Sequence, residues 1–104
     1  MDTFTDASWD REVLASRVPV VVGFFAEWCM PSRMAQPTLE HAEEQHAGRM
    51  RFGVVNFDES PALVRRYAVQ GLPTVMVIKD GQPVVRRVGL MGRAALDDLL
   101  RRNG

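Results

Sequence analysis

The sequence contains one cysteine and one lysine among 104 residues, and its charges cancel. Since thirteen basic residues balance thirteen acidic ones, no overall field favours nucleic acid or a membrane surface as a partner. One cysteine excludes an internal disulfide. No apolar run approaches the ~20 residues of a membrane-spanning helix, and no basic segment followed by an apolar one begins the chain. We therefore expect a cytoplasmic protein whose partners are neither nucleic acids nor membranes.

The remaining composition suits one small domain over residues 1–104, because a hydrophobic content of 46% is enough for a core. Apolar runs predict strands over residues 18–25, 52–57, 74–78 and 84–88. Periodicity predicts helices over residues 31–47, 60–68 and 93–102. An earlier helix, capped by Asp6 or Ser8, carries Trp9 as a core anchor. The alternation before residue 73 is typical of βαβ units, and Asp80-Gly81 predicts a hairpin.

The two histidines do not indicate a metal site. His41 and His46 are five residues apart, a spacing that separates them on a helix, and no second type of ligand clusters near them. We expect both histidines on the solvated surface. The sequence calls for no metal and no other cofactor.

The single cysteine lies where a predicted strand gives way to a predicted helix. Pro31 can occupy the first helical turn, where its missing N–H is no loss, so Cys29 falls at the helix N-terminus. Unpaired backbone N–H groups and the helix dipole favour a thiolate there, and the thiolate is the form that attacks disulfides. We predict a reactive, partly exposed thiol; the alternative is a small buried hydrophobic residue.

The residues around this cysteine resemble the active-site motif of the thioredoxin family. Trp28-Cys29-Met30-Pro31-Ser32 is similar to Trp-Cys-Gly-Pro-Cys, with serine in place of the second cysteine. Further segments that match the family in order and spacing are Pro37, Asn56-Phe57-Asp58, Gly71-Leu72-Pro73-Thr74, Lys79-Asp80-Gly81 and Val88-Gly89. The resemblance runs from about Thr3 to Arg102 without a gap.

The resemblance implies an α/β protein with the thioredoxin fold, a central mixed five-stranded sheet in the order 1-3-2-4-5 flanked by about four helices. It also implies a cis-proline at Pro73 and an apolar docking surface around the thiol. This docking surface consists of Trp28, Met30, Pro31, Leu72, Pro73, Gly89 and Leu90. We expect Trp28, Met30 and Leu90 to be at least partly exposed, and the backbone before Pro73 to pair with an extended substrate segment.

Ser32 changes the chemistry that the family motif implies. In a Cys-x-x-Cys pair the second thiol resolves the mixed disulfide that the first has formed. A serine hydroxyl is a far weaker nucleophile, although it can donate a hydrogen bond to the Cys29 thiolate. We therefore predict Cys29 and Ser32 as a catalytic pair in which one thiol forms mixed disulfides with protein or glutathione substrates. An external thiol must then resolve them.

Two further departures accompany Ser32. The buried aspartate that thioredoxins place before the motif corresponds to Gly23, and the lysine near it corresponds to Val54. Without a resolving thiol the carboxylate has nothing to deprotonate, and a buried unpaired lysine would be costly. The absence of the second cysteine, the aspartate and the lysine together is therefore consistent with a site that uses a single thiol. Beneath the motif, at Gly23, we expect a small void or a bound water.

Three interpretations stay open. We favour a thioredoxin-family thiol–disulfide exchange enzyme, acting in cell redox homeostasis with one working cysteine. The second is a Cys→Ser trapped form of a dithiol protein-disulfide reductase, and the third is a non-catalytic thioredoxin-fold binding module. A monothiol glutaredoxin role is weaker, because that family's glutathione-binding loop pattern is absent. We expect a monomer. Its expected partners are protein disulfides or low-molecular-weight thiols, with a thioredoxin-reductase-like protein as a candidate electron donor.

Overall fold

The computed structural model describes the whole chain, residues 1–104. Its strands are β1 (Asp2–Phe4), β2 (Val20–Phe25), β3 (Arg51–Asn56), β4 (Thr74–Lys79) and β5 (Gln82–Val88). Its helices are a π-helical turn (Asp10–Leu14), α1 (Met30–Gln45), α2 (Pro61–Arg66) and α3 (Arg93–Asn103). Every strand and helix whose bounds were predicted is present, with ends shifted by at most two residues. No helix combines the length and apolar character needed to cross a membrane.

The five strands form one mixed sheet in the order β1-β3-β2-β4-β5, which confirms the predicted α/β architecture. β2 pairs in parallel with β3 and antiparallel with β4, so it occupies the centre of the sheet. β4 and β5 form the predicted hairpin. Asp80 and Gly81 in its turn both have positive φ, as the tight two-residue turn requires.

The sheet separates two apolar clusters. The first lies on the side of α2 and includes Phe4, Phe24 and Trp9. Trp9 donates a hydrogen bond from Nε1 to the Tyr67 hydroxyl at 3.0 Å, and is buried as predicted. The second cluster lies between the sheet and helices α1 and α3, and Leu39 of α1 belongs to it. The central strand contributes to both clusters, which explains its continuous apolar sequence.

The capping prediction for the first helix is wrong for both Asp6 and Ser8, because no side chain caps the first turn of this helix. The chain enters this helix through Thr5 and Ser8, each of which accepts the other's backbone N–H with its side-chain oxygen. Asp6 instead accepts the N–H groups of Ala62 and Leu63, at 3.1 and 3.0 Å. It therefore caps α2, a helix more than fifty residues further along the chain.

The expectation of a surface His46 is also wrong. This side chain is buried between the end of α1 and α3. Its Nδ1 lies 2.8 Å from Arg49 Nη2, and its Nε2 lies 2.9 Å from Asp97 Oδ1. Because a guanidinium group can only donate, Nδ1 accepts and the Nε2–H donates to the carboxylate. The sequence carried a signal for this burial, since His46 follows buried Leu39 at an interval of seven residues.

Arg51 joins β3 to the N-terminal segment of the chain. Its guanidinium donates to the carboxylates of Asp2 and Glu12, at 2.9 and 2.8 Å, and to the Glu12 carbonyl at 2.7 Å. It also lies over the Phe4 ring, 5.4 Å from the centroid. The hydrogen bonds to Glu12 and then to Asp2 raise the pKa of Arg51 above its ordinary value.

We expect Arg51→Met to lower the free energy of unfolding by about 1–2 kcal/mol in urea titrations. A cation whose pKa is raised by folding stabilises the protein at every pH below its unfolded pKa. The loss should therefore be the same at about pH 6 and about pH 8. The matched control is Arg102→Met, which breaks one exposed pair with Asp98 and should cost less than about 0.5 kcal/mol. Equal losses in the two variants would contradict the network.

Candidate active site

Cys29 occupies the turn between β2 and α1. Its backbone N–H donates to the Ala26 carbonyl at 3.1 Å and closes the turn. Its own carbonyl accepts the Arg33 N–H at 3.1 Å, so Cys29 is the N-cap residue of α1. The thiol is partly exposed, as predicted, and it lies at the end of the central strand. A thiol in this position is anchored by the turn and still reaches solvent.

The sulfur of Cys29 faces the loop that precedes β4. The Leu72–Pro73 peptide bond is cis, and Cys29 Sγ lies 3.8 Å from the Leu72 carbonyl oxygen. The backbone of the same loop is joined to the end of β5, because the Gly89 N–H donates to the Pro73 carbonyl at 2.8 Å. The thiol, the Leu72–Pro73 peptide and the segment after β5 therefore meet on one face of the molecule.

The hydroxyl of Ser32 is bound to backbone atoms and not to the thiol. Ser32 is buried, and its Oγ accepts the Ala26 N–H at 3.1 Å. The single hydroxyl hydrogen lies between two acceptors, the carbonyls of Cys29 at 2.9 Å and of Ala26 at 3.1 Å. The expected hydrogen bond from Ser32 to Cys29 Sγ is not formed, because the side chain points back into the turn, where carbonyl oxygens are its nearest acceptors.

The docking surface is only partly solvent-exposed. Trp28, Met30 and Leu90 are 67%, 57% and 51% exposed, which confirms the expectation for these three. Of the other four residues, Pro31 is exposed, Leu72 and Gly89 are half-buried, and Pro73 is buried. Two further exposed apolar residues, Met34 and Val88, were not predicted as site residues. Met34 follows Met30 by one helical turn, and that spacing could have identified it.

Trp28 is fixed by two contacts. Its Nε1 donates to Asp58 Oδ2 at 2.8 Å, and its ring meets Phe57 edge to face, with centroids 6.2 Å apart. Asn56 accepts the Asp58 N–H at 2.9 Å and so holds the acceptor in place. Asp58 was not predicted as a site residue, although it stands in one of the segments that match the family. An exposed indole held in this way can present a rigid apolar face beside the thiol.

No cavity encloses the thiol. The largest cleft, of about 470 Å³, runs beside Met30, Met34 and Pro37 on α1, and Cys29 does not line it. A thiol on an open surface suits an extended peptide segment better than a small molecule that has to be enclosed. No three His, Cys, Asp or Glu side chains are grouped so that they could hold a metal ion.

Comparison with known proteins settles the family. The family model for thioredoxin matches residues 1–102. The chain belongs to the thioredoxin family. Thioredoxin 1 of Synechococcus elongatus is 38% identical over 96 residues, which cover 92% of this chain and 90% of that protein. Thioredoxin of Mycobacterium tuberculosis is 42% identical over 92 residues, which cover 88% of this chain and 79% of that protein.

The protein is a thioredoxin-family redox protein that lacks the family's buried aspartate. The expectation of a small void or a bound water at Gly23, beneath the motif, is wrong. Gly23 of β2, at the position of the family's aspartate, is buried. A Cβ added there would lie 2.6 Å from Leu39 Cδ1 and 4.0 Å from Val54 Cγ1. Leu39 therefore already fills the space that a side chain at this position would need. The space that the family's carboxylate would occupy is therefore taken by the apolar side chain of Leu39, which leaves no room for a water there.

Proposed function

We propose that this protein is a one-thiol member of the thioredoxin family in which Cys29 captures disulfides. The supporting observation is the site itself. The only thiol of the chain is partly exposed at a helix N-terminus and lies 3.8 Å from the Leu72 carbonyl. No second thiol is available, and the hydroxyl at the position of the resolving cysteine is engaged by backbone atoms.

The reaction is an exchange in two steps. The Cys29 thiolate attacks one sulfur of a substrate disulfide, the new S–S bond forms, and the other substrate sulfur leaves as a thiolate. An external thiolate then attacks the mixed disulfide and restores the Cys29 thiolate. In that same attack, the external sulfur forms a disulfide with the captured substrate sulfur. Neither step needs a cofactor.

Release should be the slow step. A resolving group within the same molecule can act at an effective concentration of ~10⁵ M or more in ideal cases, far above the level of any cellular thiol. Ser32 supplies no such group. The activity we propose is therefore capture, slow exchange, isomerisation or deglutathionylation, and not rapid turnover as a protein-disulfide reductase. The external thiol is glutathione-like, or a thioredoxin-reductase-like protein acts on the mixed disulfide directly.

We propose protein segments as the main substrates. The docking surface is apolar and partly exposed, and one of its residues, Leu72, lies against the Cys29 sulfur; this arrangement suits an extended segment that flanks a disulfide. We propose that the backbone at Leu72 pairs with such a segment, in the manner of strand addition. Met30 and Leu90 are larger than the glycine and alanine usual in the family, and so they narrow the approach. A monomer in the cytoplasm remains the prediction of the sequence.

The test is the stoichiometry of capture by the reduced protein, followed by intact mass. Incubation with excess glutathione disulfide should add one glutathione per chain, at Cys29. After removal of the excess, the adduct should persist, and its release should be first order in added thiol. If only the denatured protein reacts, the binding-module interpretation is correct. If the adduct resolves without added thiol, the one-thiol mechanism is wrong.

A further inference from the structure

We infer that Ser32 is a positioning residue, which fixes the turn that carries Cys29 and acts through the backbone and not through the sulfur. The turn spans Ala26 to Cys29 and is closed by a backbone hydrogen bond of 3.1 Å. Ser32 Oγ contacts both ends of the turn, since it accepts the Ala26 N–H and lies 2.9 Å from the Cys29 carbonyl. One buried hydroxyl thus joins the end of β2 to the first turn of α1.

The Ala26 N–H depends on this hydroxyl. Ala26 is fully buried, and no backbone carbonyl accepts its N–H. A buried donor without a partner is costly, so the turn is stable in this form only while the oxygen of Ser32 is present. A thiol at position 32 would serve less well, because sulfur is a weak donor and a weak acceptor. The serine therefore supports the backbone at the position where the family carries its second thiol.

The position of the turn decides where the nucleophile lies relative to a docked substrate. Attack on a protein disulfide requires Cys29 Sγ to be aligned while the substrate segment is held beside Leu72. Misplacement of a reacting atom by about 1 Å can cost ~10²-fold in rate. A small reagent that needs no docking tolerates such a displacement. Loss of the Ser32 hydroxyl should therefore slow capture of a protein much more than alkylation of the same thiol.

The experiment compares Ser32→Ala with Ser60→Ala. Both serines are 1% exposed and lie at the beginning of a helix, but Ser60 Oγ has no hydrogen-bond partner. Ser32→Ala should slow mixed-disulfide formation with a protein disulfide by about tenfold or more and change iodoacetamide alkylation by less than about threefold. It should also accelerate hydrogen exchange of the Ala26 amide. Ser60→Ala should leave both rates within about twofold, because it removes the same atom without a hydrogen bond.

Each alternative result overturns the inference. An unchanged capture rate in folded Ser32→Ala would exclude a positioning role. An equal fall in capture and alkylation would mean that the hydroxyl acts on the sulfur itself. The rate comparison rests on the proposed function, whereas hydrogen exchange does not. If the wild-type protein captures nothing, the proposed function fails, and the Ala26 amide still tests the turn. Unprotected exchange of that amide in the wild-type protein would overturn the inference even if Ser32→Ala does not fold.

Discussion

Replacing Cys29 with alanine is expected to abolish covalent capture of disulfides, by at least about 10³-fold and to the limit of detection by intact mass. The chain has no other thiol. The nearest hydroxyl, that of Ser32, is buried and bound to backbone atoms, so it cannot substitute for the thiol. Incubation of the reduced variant with a protein disulfide, followed by non-reducing separation, measures the loss directly.

Non-covalent docking should survive this substitution. Trp28, Met30 and Leu90 are exposed, and Trp28 is held by Asp58 and not by the thiol. The affinity of Cys29→Ala for a partner whose cysteines are alkylated should therefore stay within about threefold of the wild-type value, a change of less than about 1 kcal/mol. A covalent adduct that persists in the variant would contradict the assignment of the nucleophile. Loss of all binding would show that the sulfur itself contributes most of the docking.

Gly23→Asp, which restores the carboxylate of the family, is expected to lower the free energy of unfolding by about 3 kcal/mol or more at neutral pH. The new side chain has to displace Leu39, whose Cδ1 lies 2.6 Å from the position of the added Cβ. The carboxylate would also be buried beside Val54, where the family carries a lysine. Urea titration of the purified variant measures the effect.

The control for Gly23→Asp is Gly23→Asn, which has the same shape and no charge. Burial raises the pKa of the introduced carboxyl, so the charged form adds a cost that Gly23→Asn lacks. A carboxyl with a raised folded pKa adds no such cost below its unfolded pKa, and the cost grows as the pH rises towards the folded pKa. The difference between the two variants should therefore be small near about pH 4 and exceed about 1 kcal/mol near about pH 7. A difference independent of pH would show that sterics alone destabilise the variant.

The features that local patterns encode could be predicted from the sequence. Asp80-Gly81 specified the hairpin because both turn residues require positive φ. The apolar run before Cys29 specified a strand that is covered on both faces, and Pro31 specified the helix that follows. The place of the thiol followed from these two elements. The docking surface and the order of the strands came from the resemblance to a family, since pairing between distant strands leaves no local pattern.

Three of the features that were missed depend on partners far apart in sequence. Asp6 caps a helix that begins at Pro61, and the buried His46 ring depends on Asp97, 51 residues away, for the partner of its Nε2. The contact between Gly23 and Leu39 depends on how a helix lies across a sheet. Ser32 is the exception, because its partners are only three and six residues away. The sequence led us to expect a hydrogen bond from its hydroxyl to Cys29 Sγ, but the side chain points into a tight turn, where the backbone carbonyls of Ala26 and Cys29 are its acceptors.

The site combines residues that follow the central strand β2 with residues that follow the edge strand β5, and the two groups differ in how easily they can move. Cys29 follows a strand that is hydrogen-bonded on both sides, whereas Gly89 and Leu90 follow the edge strand β5. Elements in the middle of a sheet open only when the whole domain opens, while edges and loops move at far lower cost. We therefore expect the Gly89–Leu90 side of the site to adapt to the contour of a bound partner at lower cost than the turn that carries Cys29.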